Sequence, residues 1–359
     1  VSRKGFIVGP FYDSVFFIFS PLLALLLGYG VGYTPAFRQP VLMAGGYERL
    51  SDIAISVIIY AHLFLVFFRS HGNQAIFRAH RFRFTVVPAA LFLACWASPH
   101  VLVLTTLVAT WWDVYHSSLQ TFGLGRIYDA RAGNDAQAGR RLDYLFNLLL
   151  YLGPVLGGAV LLDHLKDFQQ FAAPEIGWMY FASVPAWVAP RSAALTRMVL
   201  LIAIPFLLYY IWAYWRLWRG GYKVSPQKVT LYAITALVSV VAWGFNSFGQ
   251  AFLIMNFFHA WQYFAIVWWS ENKNIAGVLG VSRLHFSREV TFAVVFGTAA
   301  AYGYWASSFQ GGKPALLALT VVVSIMHFWY DGFIWSVRKR QIPDQATASG
   351  DDPPQMLSC

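Results

Sequence analysis

Apolar runs of about 18 residues or more recur along nearly the whole chain, and about 20 apolar residues in a helix are what the ~30 Å hydrocarbon core of a bilayer requires. Only 12% of the 359 residues are charged and 58% are hydrophobic, whereas a soluble domain carries about 25% charged residues. Mean hydropathy is +0.53. A chain of this kind cannot leave backbone N–H and C=O groups unpaired in lipid, so its spanning segments must be helices or a closed barrel. Runs of this length are helical. The expected fold is all-α: a polytopic membrane bundle over residues 1–340, with a polar, Pro-rich, disordered cytoplasmic tail over 341–359.

Reading the runs between charged punctuation gives ten segments, near 11–33, 51–68, 84–99, 101–123, 143–163, 198–215, 229–245, 248–270, 290–309 and 315–337. The third contains Pro88, tolerable in a membrane helix if a neighbour satisfies the freed carbonyl. With the N-terminus inside, alternating loops place 20 of the 26 Lys and Arg on one side, as the positive-inside rule requires. Both ends are then cytoplasmic. The net charge of +10 reads as orientation and attraction to anionic lipid, with no call for nucleic acid. The expected setting is a plasma membrane of the bacterial inner-membrane type, and no cleavable signal peptide is evident at the start. Residues 164–197, with Phe168, Phe171, Trp178, Tyr180, Phe181 and Trp187, are expected to lie on the outer surface as a lid. Residues 271–289 are expected to form an inner interfacial segment.

Four histidines interrupt these runs: His62, His116, His259 and His327. An ionisable group at bilayer depth is costly unless it is paired, ligated or facing water. All four fall on even-numbered spans, which run in one direction. At about 1.5 Å per residue they lie some 10–21 Å from the basic residue closing each span, compatible with one layer. Three have polar neighbours at helical spacing: Asp113 and Gln120 beside His116, Asn256 and Gln262 beside His259, and Asp331 four residues after His327. A ligating histidine usually donates its second ring N–H to such a group. The competing reading is ordinary packing of neutral imidazoles and protonated carboxyls between helices. The same reading covers Asp13 and Asn147.

The pattern therefore predicts a transition-metal site with His62, His116, His259, His327 and Asp331 as ligands. Asp113, Gln120, Gln262 and Asn256 orient them, and Tyr115 and Tyr330 are candidate proton donors. His71 and His80 are candidates for additional ligands but fit better in a solvated basic loop. The chain has two cysteines and no C-x-x-C pair, against iron–sulfur and thiolate zinc. Imidazole with carboxylate suits iron, mononuclear or dinuclear; haem b held by paired histidines is the alternative. No H-x-x-H-H, H-x-x-x-H or H-E-x-x-H motif occurs. The expected bundle resembles carotenoid-cleaving dioxygenases of the bacteriorhodopsin-related type, which embed four iron histidines among helices; the resemblance is architectural and no motif is shared. The expected function is a membrane oxidoreductase or oxygenase with a lipophilic substrate drawn from the bilayer and a redox partner. Alternatives are a haem electron carrier, a proton-coupled transporter and an accessory subunit of a membrane complex.

Overall fold

The structure, a computed structural model, describes residues 5–43, 46–164, 189–308 and 314–335. Its helices are α1 (Pro10–Asp13), α2 (Ser20–Tyr33), α3 (Pro35–Arg38), α4 (Leu50–Ser70), α5 (Gln74–Ala97), α6 (Pro99–Arg131), α7 (Arg140–Gly158), α8 (Val160–His164), α9 (Ser192–Arg219), α10 (Pro226–Phe245), α11 (Phe248–Val278), α12 (Ser287–Ser308) and α13 (Pro314–Ile334). Each of the ten apolar runs is helical. One correction to the all-α expectation is a short antiparallel hairpin, β1 (Pro40–Met43) with β2 (Gly46–Arg49). The aromatic loop and the C-terminal tail fall outside the described residues.

Local chemistry sets the helix starts. Asn73, Ser98 and Ser225 each accept a hydrogen bond from the backbone N–H three residues on, and Pro99 and Pro226 follow two of these caps, where the missing N–H costs nothing. Helices also extend past the expected boundaries. Residues 74–83, read from sequence as a basic loop, form the first turns of α5. Residues 271–278, read as interfacial, continue α11.

Two prolines orphan carbonyls, and distant side chains answer them. Pro21 cannot bond the carbonyl of Phe17, next to a π-helical turn at Ser14–Ile18 that bends the first segment by 53°. The Gln262 amide and the Ser20 hydroxyl both donate to that oxygen, each at 3.0 Å. Pro88 likewise frees the carbonyl of Phe84, and His71 Nε2 donates to it at 3.2 Å.

Among the described residues, five helices are long and apolar enough to cross a membrane (α4, α9, α10, α11 and α13), or six if the bent first segment counts as one. Helix α9 makes the point physically: none of its residues is buried, and Leu201, Ile202 and Leu208 are at least 65% exposed. A soluble protein does not present such a face to water. The chain is thus compatible with an integral membrane protein. The loops rich in Lys and Arg meet at one end. Arg131 donates to the carbonyl of Ile7 at 2.9 Å, Asn134 bonds Lys223 through both its amide and its carbonyl, and Asn274 reaches the carbonyl of Gly72.

Under that end sits a buried charge cluster. Arg126 bonds Asp129 and Asp143 at 2.6 and 2.8 Å, and Lys228 bonds the same two carboxylates at 2.7 Å each. Tyr210, Tyr214 and Tyr222 donate to the remaining oxygens. Two cations balance two anions, and four helices (α6, α7, α9 and α10) are tied together. Removing one partner strands a buried charge, at a cost of about 3–5 kcal/mol. Lys228→Met is expected to lower stability by that amount in chemical denaturation of the detergent-solubilised chain; a change under 1 kcal/mol, within the range of exposed pairs, contradicts the assignment.

Candidate metal centre

His62 on α4, His116 on α6, His259 on α11 and His327 on α13 converge in the interior, each at most 4% exposed. Their rings close a loop: His62 to His259 is 5.1 Å between centroids, His259 to His116 4.9 Å, His116 to His327 5.0 Å and His327 to His62 4.9 Å. Neighbouring rings lie nearly edge-to-face, at 71–89°. An imidazole nitrogen binds an ion such as zinc at about 2.1 Å, which puts the ring centroid roughly 3.2 Å from it, so two cis or tetrahedral imidazoles stand about 4.6–5.3 Å apart. All four spacings fall in that interval.

Neutral imidazoles packed together could show the same spacing. The nitrogens bear on the choice. Both ring nitrogens of His62, His259 and His327, and Nε2 of His116, are buried without a hydrogen-bond partner among the described residues. Each unsatisfied buried polar atom costs about 1–3 kcal/mol. A single cation would take one nitrogen from each ring. The carbonyls of Ile59 and Leu63 act on His62 and His327 short of good hydrogen-bond geometry, poised to accept from the nitrogens not used for ligation.

A fifth donor completes the set. Asp331 Oδ2 lies 3.7 Å from His116 Nε2 and 3.8 Å from His327 Nε2. Its other oxygen accepts from Tyr263 Oη at 2.9 Å and Trp335 Nε1 at 3.1 Å, so the carboxylate is held with one oxygen turned to the histidines. Ligand atoms of His62, His259 and His327 lie within 4.8 Å of one another, as do those of His116, His327 and Asp331. His327 belongs to both groups and makes them one cluster.

Three of the four helices are locked together below the cluster. Arg69, seven residues after His62, pairs with Glu271 on α11 and donates to the carbonyl of Ile334, seven after His327, at 3.0 Å. Its guanidinium also stacks 3.8 Å from the Trp335 ring centroid. Asn73 and Asn274 occupy the second Glu271 oxygen. The fourth helix is tied to α11 by Gln120, whose amide donates to the His259 carbonyl at 3.0 Å and to Gln262 at 2.9 Å.

The remaining candidates from sequence take other places. Gln120 and Gln262 hold backbone and each other and touch no imidazole nitrogen. Asn256 donates to the Phe252 carbonyl and, with Asp113, faces a cavity beside His62. Tyr115 is at the surface, 3.3 Å from Tyr144. Tyr330 is buried, with its hydroxyl toward the Arg83 carbonyl. His71 bonds Ser70 and Phe84, and His80 packs on Phe84 and Phe333, so neither joins the cluster. Sequence reasoning missed Tyr263, whose ring lies 4.7 Å from His327. Its position four residues after His259, the spacing that singled out Asp331, is the signal that could have found it.

Comparison of the chain with protein-family models, characterised proteins and solved structures finds no match. Fold and site therefore define the class by themselves: a helical protein compatible with the membrane, with four imidazoles and a carboxylate gathered in its interior. Loss of a partner that orients a ligand typically weakens metal affinity about 10–100-fold. Tyr263→Phe is expected to weaken zinc or cobalt(II) binding by that factor in chelator competition, with an unchanged helical circular-dichroism spectrum. Unaltered affinity would place Tyr263 outside the site.

Proposed function

We propose that this chain is an integral membrane metalloenzyme, a non-haem iron oxidoreductase or oxygenase acting on a lipid-soluble substrate. The closed loop of four buried imidazoles with Asp331 beside it carries the reading. Ten spans with both ends on the cytoplasmic side accompany it, supported by the meeting of the basic loops at one end. A single ion accounts for the loop better than two, because Asp331 is the only carboxylate directly at it among the described residues.

His62, His116, His259, His327 and Asp331 would hold the ion, and iron in such a nitrogen–oxygen set would supply one-electron chemistry with dioxygen. The protein's part is separate from that chemistry. Tyr263 and Trp335 hold Asp331 as the oxygen donor. The Arg69–Glu271 pair fixes the register of α4, α11 and α13. The surrounding apolar helices exclude bulk water and admit a substrate from lipid. Haem b fits less well. Two histidines trans on one haem iron stand about 6.5 Å apart by the same bond lengths, with a macrocycle between them, whereas each ring here touches two others at 4.9–5.1 Å.

Elemental analysis with an optical spectrum tests the proposal. The gently purified chain is expected to carry close to one iron and no Soret band, and His259→Ala to lose the metal while keeping its helical content. Less than about half an equivalent of any transition metal contradicts the reading, since a site of this ligand count should survive purification.

A further inference from the structure

One wall of the histidine cluster opens into a cavity of about 220 Å³ lined by α4, α6, α7, α8, α10, α11 and α13, with His62 and Asp113 on its surface. Helix α6 presents Thr106, Thr110, Asp113 and Ser117 to it, at spacings of four, three and four, which is one helix face. Most of the rest of the wall is apolar, including Leu63, Val155 and Phe328.

Four hydroxyls of this wall are already engaged as donors. The hydroxyls of Thr106, Thr110, Thr320 and Ser324 each donate to a carbonyl of their own helix, so they turn lone pairs toward the cavity. The Asp113 carboxyl receives no hydrogen bond and faces no cation among the described residues. A carboxyl at membrane depth calls for a partner, and none of the donor-bearing side chains on the same wall, Ser117, Asn256, Trp243 and His62, hydrogen-bonds it among the described residues. The missing component is a donor.

We propose that this cavity is the substrate pocket of the centre, and that it takes a lipophilic molecule ending in a hydrogen-bond-donating group, an ammonium or a hydroxyl, seated on Asp113. This rests on the oxidoreductase reading and names its substrate class. The apolar part of the wall holds the chain, Asp113 holds the head, and His62 brings the bound molecule to the edge of the cluster. The size agrees: an apolar cavity of about 150 Å³ holds benzene, so about 220 Å³ holds roughly nine heavy atoms.

The probes are n-octylamine, n-octanol and n-octane, applied to the full chain in lipid nanodiscs, with thermal stability and metal content measured on the same samples. Saturable stabilisation by the amine or the alcohol, none by octane, and weakening in Asp113→Asn by about tenfold or more, the loss of one charge-assisted hydrogen bond, is the expected result. Equal response to octane, an unchanged response in Asp113→Asn, or no saturable response at all overturns the pocket; the last outcome means the cavity holds water alone. An Asp113-dependent response in a chain that purifies without metal supports the pocket and tells against the iron reading separately. An iron-loaded chain without such a response overturns the pocket and leaves the metal reading standing.

Discussion

A polar atom placed in oil must find a partner, and in this chain that requirement organises nearly everything else. It is met by backbone helices first, then by side chains that answer specific breaks. Pro21 frees the carbonyl of Phe17, and Gln262 answers from α11; Pro88 frees that of Phe84, and His71 answers from the end of α4. The charges of Arg126, Lys228, Asp129 and Asp143 neutralise one another at the basic end. Against this economy the four central imidazoles stand out. Seven of their nitrogens are buried without a hydrogen-bond partner among the described residues, and three of the four rings lack one at both nitrogens; other such atoms, Asn147 Oδ1, Thr235 Oγ1 and Trp261 Nε1 among them, come one to a side chain. That concentration, more than the presence of histidine, is what supports the proposal of a cation among them.

The scaffold is arranged to keep the rings where they are. Arg69 and Glu271 sit beneath the cluster and bridge three of its helices at once, with Trp335 stacked on the guanidinium. Gly303 lets α12 lie directly against the backbone of α4 at Val57, where any side chain would collide with a carbonyl, so the helix that carries His62 is braced from behind. Close approach through small residues is how membrane helices pack without a hydrophobic drive between them. The Arg69 clamp joins helices on one side of the cluster, and the cavity that holds Asp113 borders His62.

Much of this was legible in the sequence. The ten helical runs follow from hydropathy because lipid permits few alternatives to a helix, and the four histidines could be picked out because ionisable residues are costly at that depth. The i+4 spacing put Asp331 beside His327 correctly. Pairings across helices were less accessible. Gln120 and Gln262 were read as partners of imidazoles because they share a helix face with them, but that face also meets other helices, and the amides bond backbone and each other. Tyr115 lies one residue from His116, which on a helix turns it about 100° away, to the surface. Residues 74–83 looked like a loop because four charged or histidine side chains, Arg78, His80, Arg81 and Arg83, crowd them; in α5 they form the first turns of the helix. The charge cluster escaped notice because its residues come from three helices, with Lys228 lying 85 residues beyond Asp143, each beside residues that look like ordinary helix ends.

X-ray absorption at the metal edge tests the central claim most directly. The account predicts a shell of imidazole nitrogens near 2.1 Å, with the multiple scattering of about four histidine rings, reduced by one ring in a variant such as His62→Gln that still binds metal. A shell of oxygen or sulfur alone, or an imidazole count unchanged by that substitution, would show that whatever metal the chain carries is held elsewhere, and the convergence of the four rings would be packing.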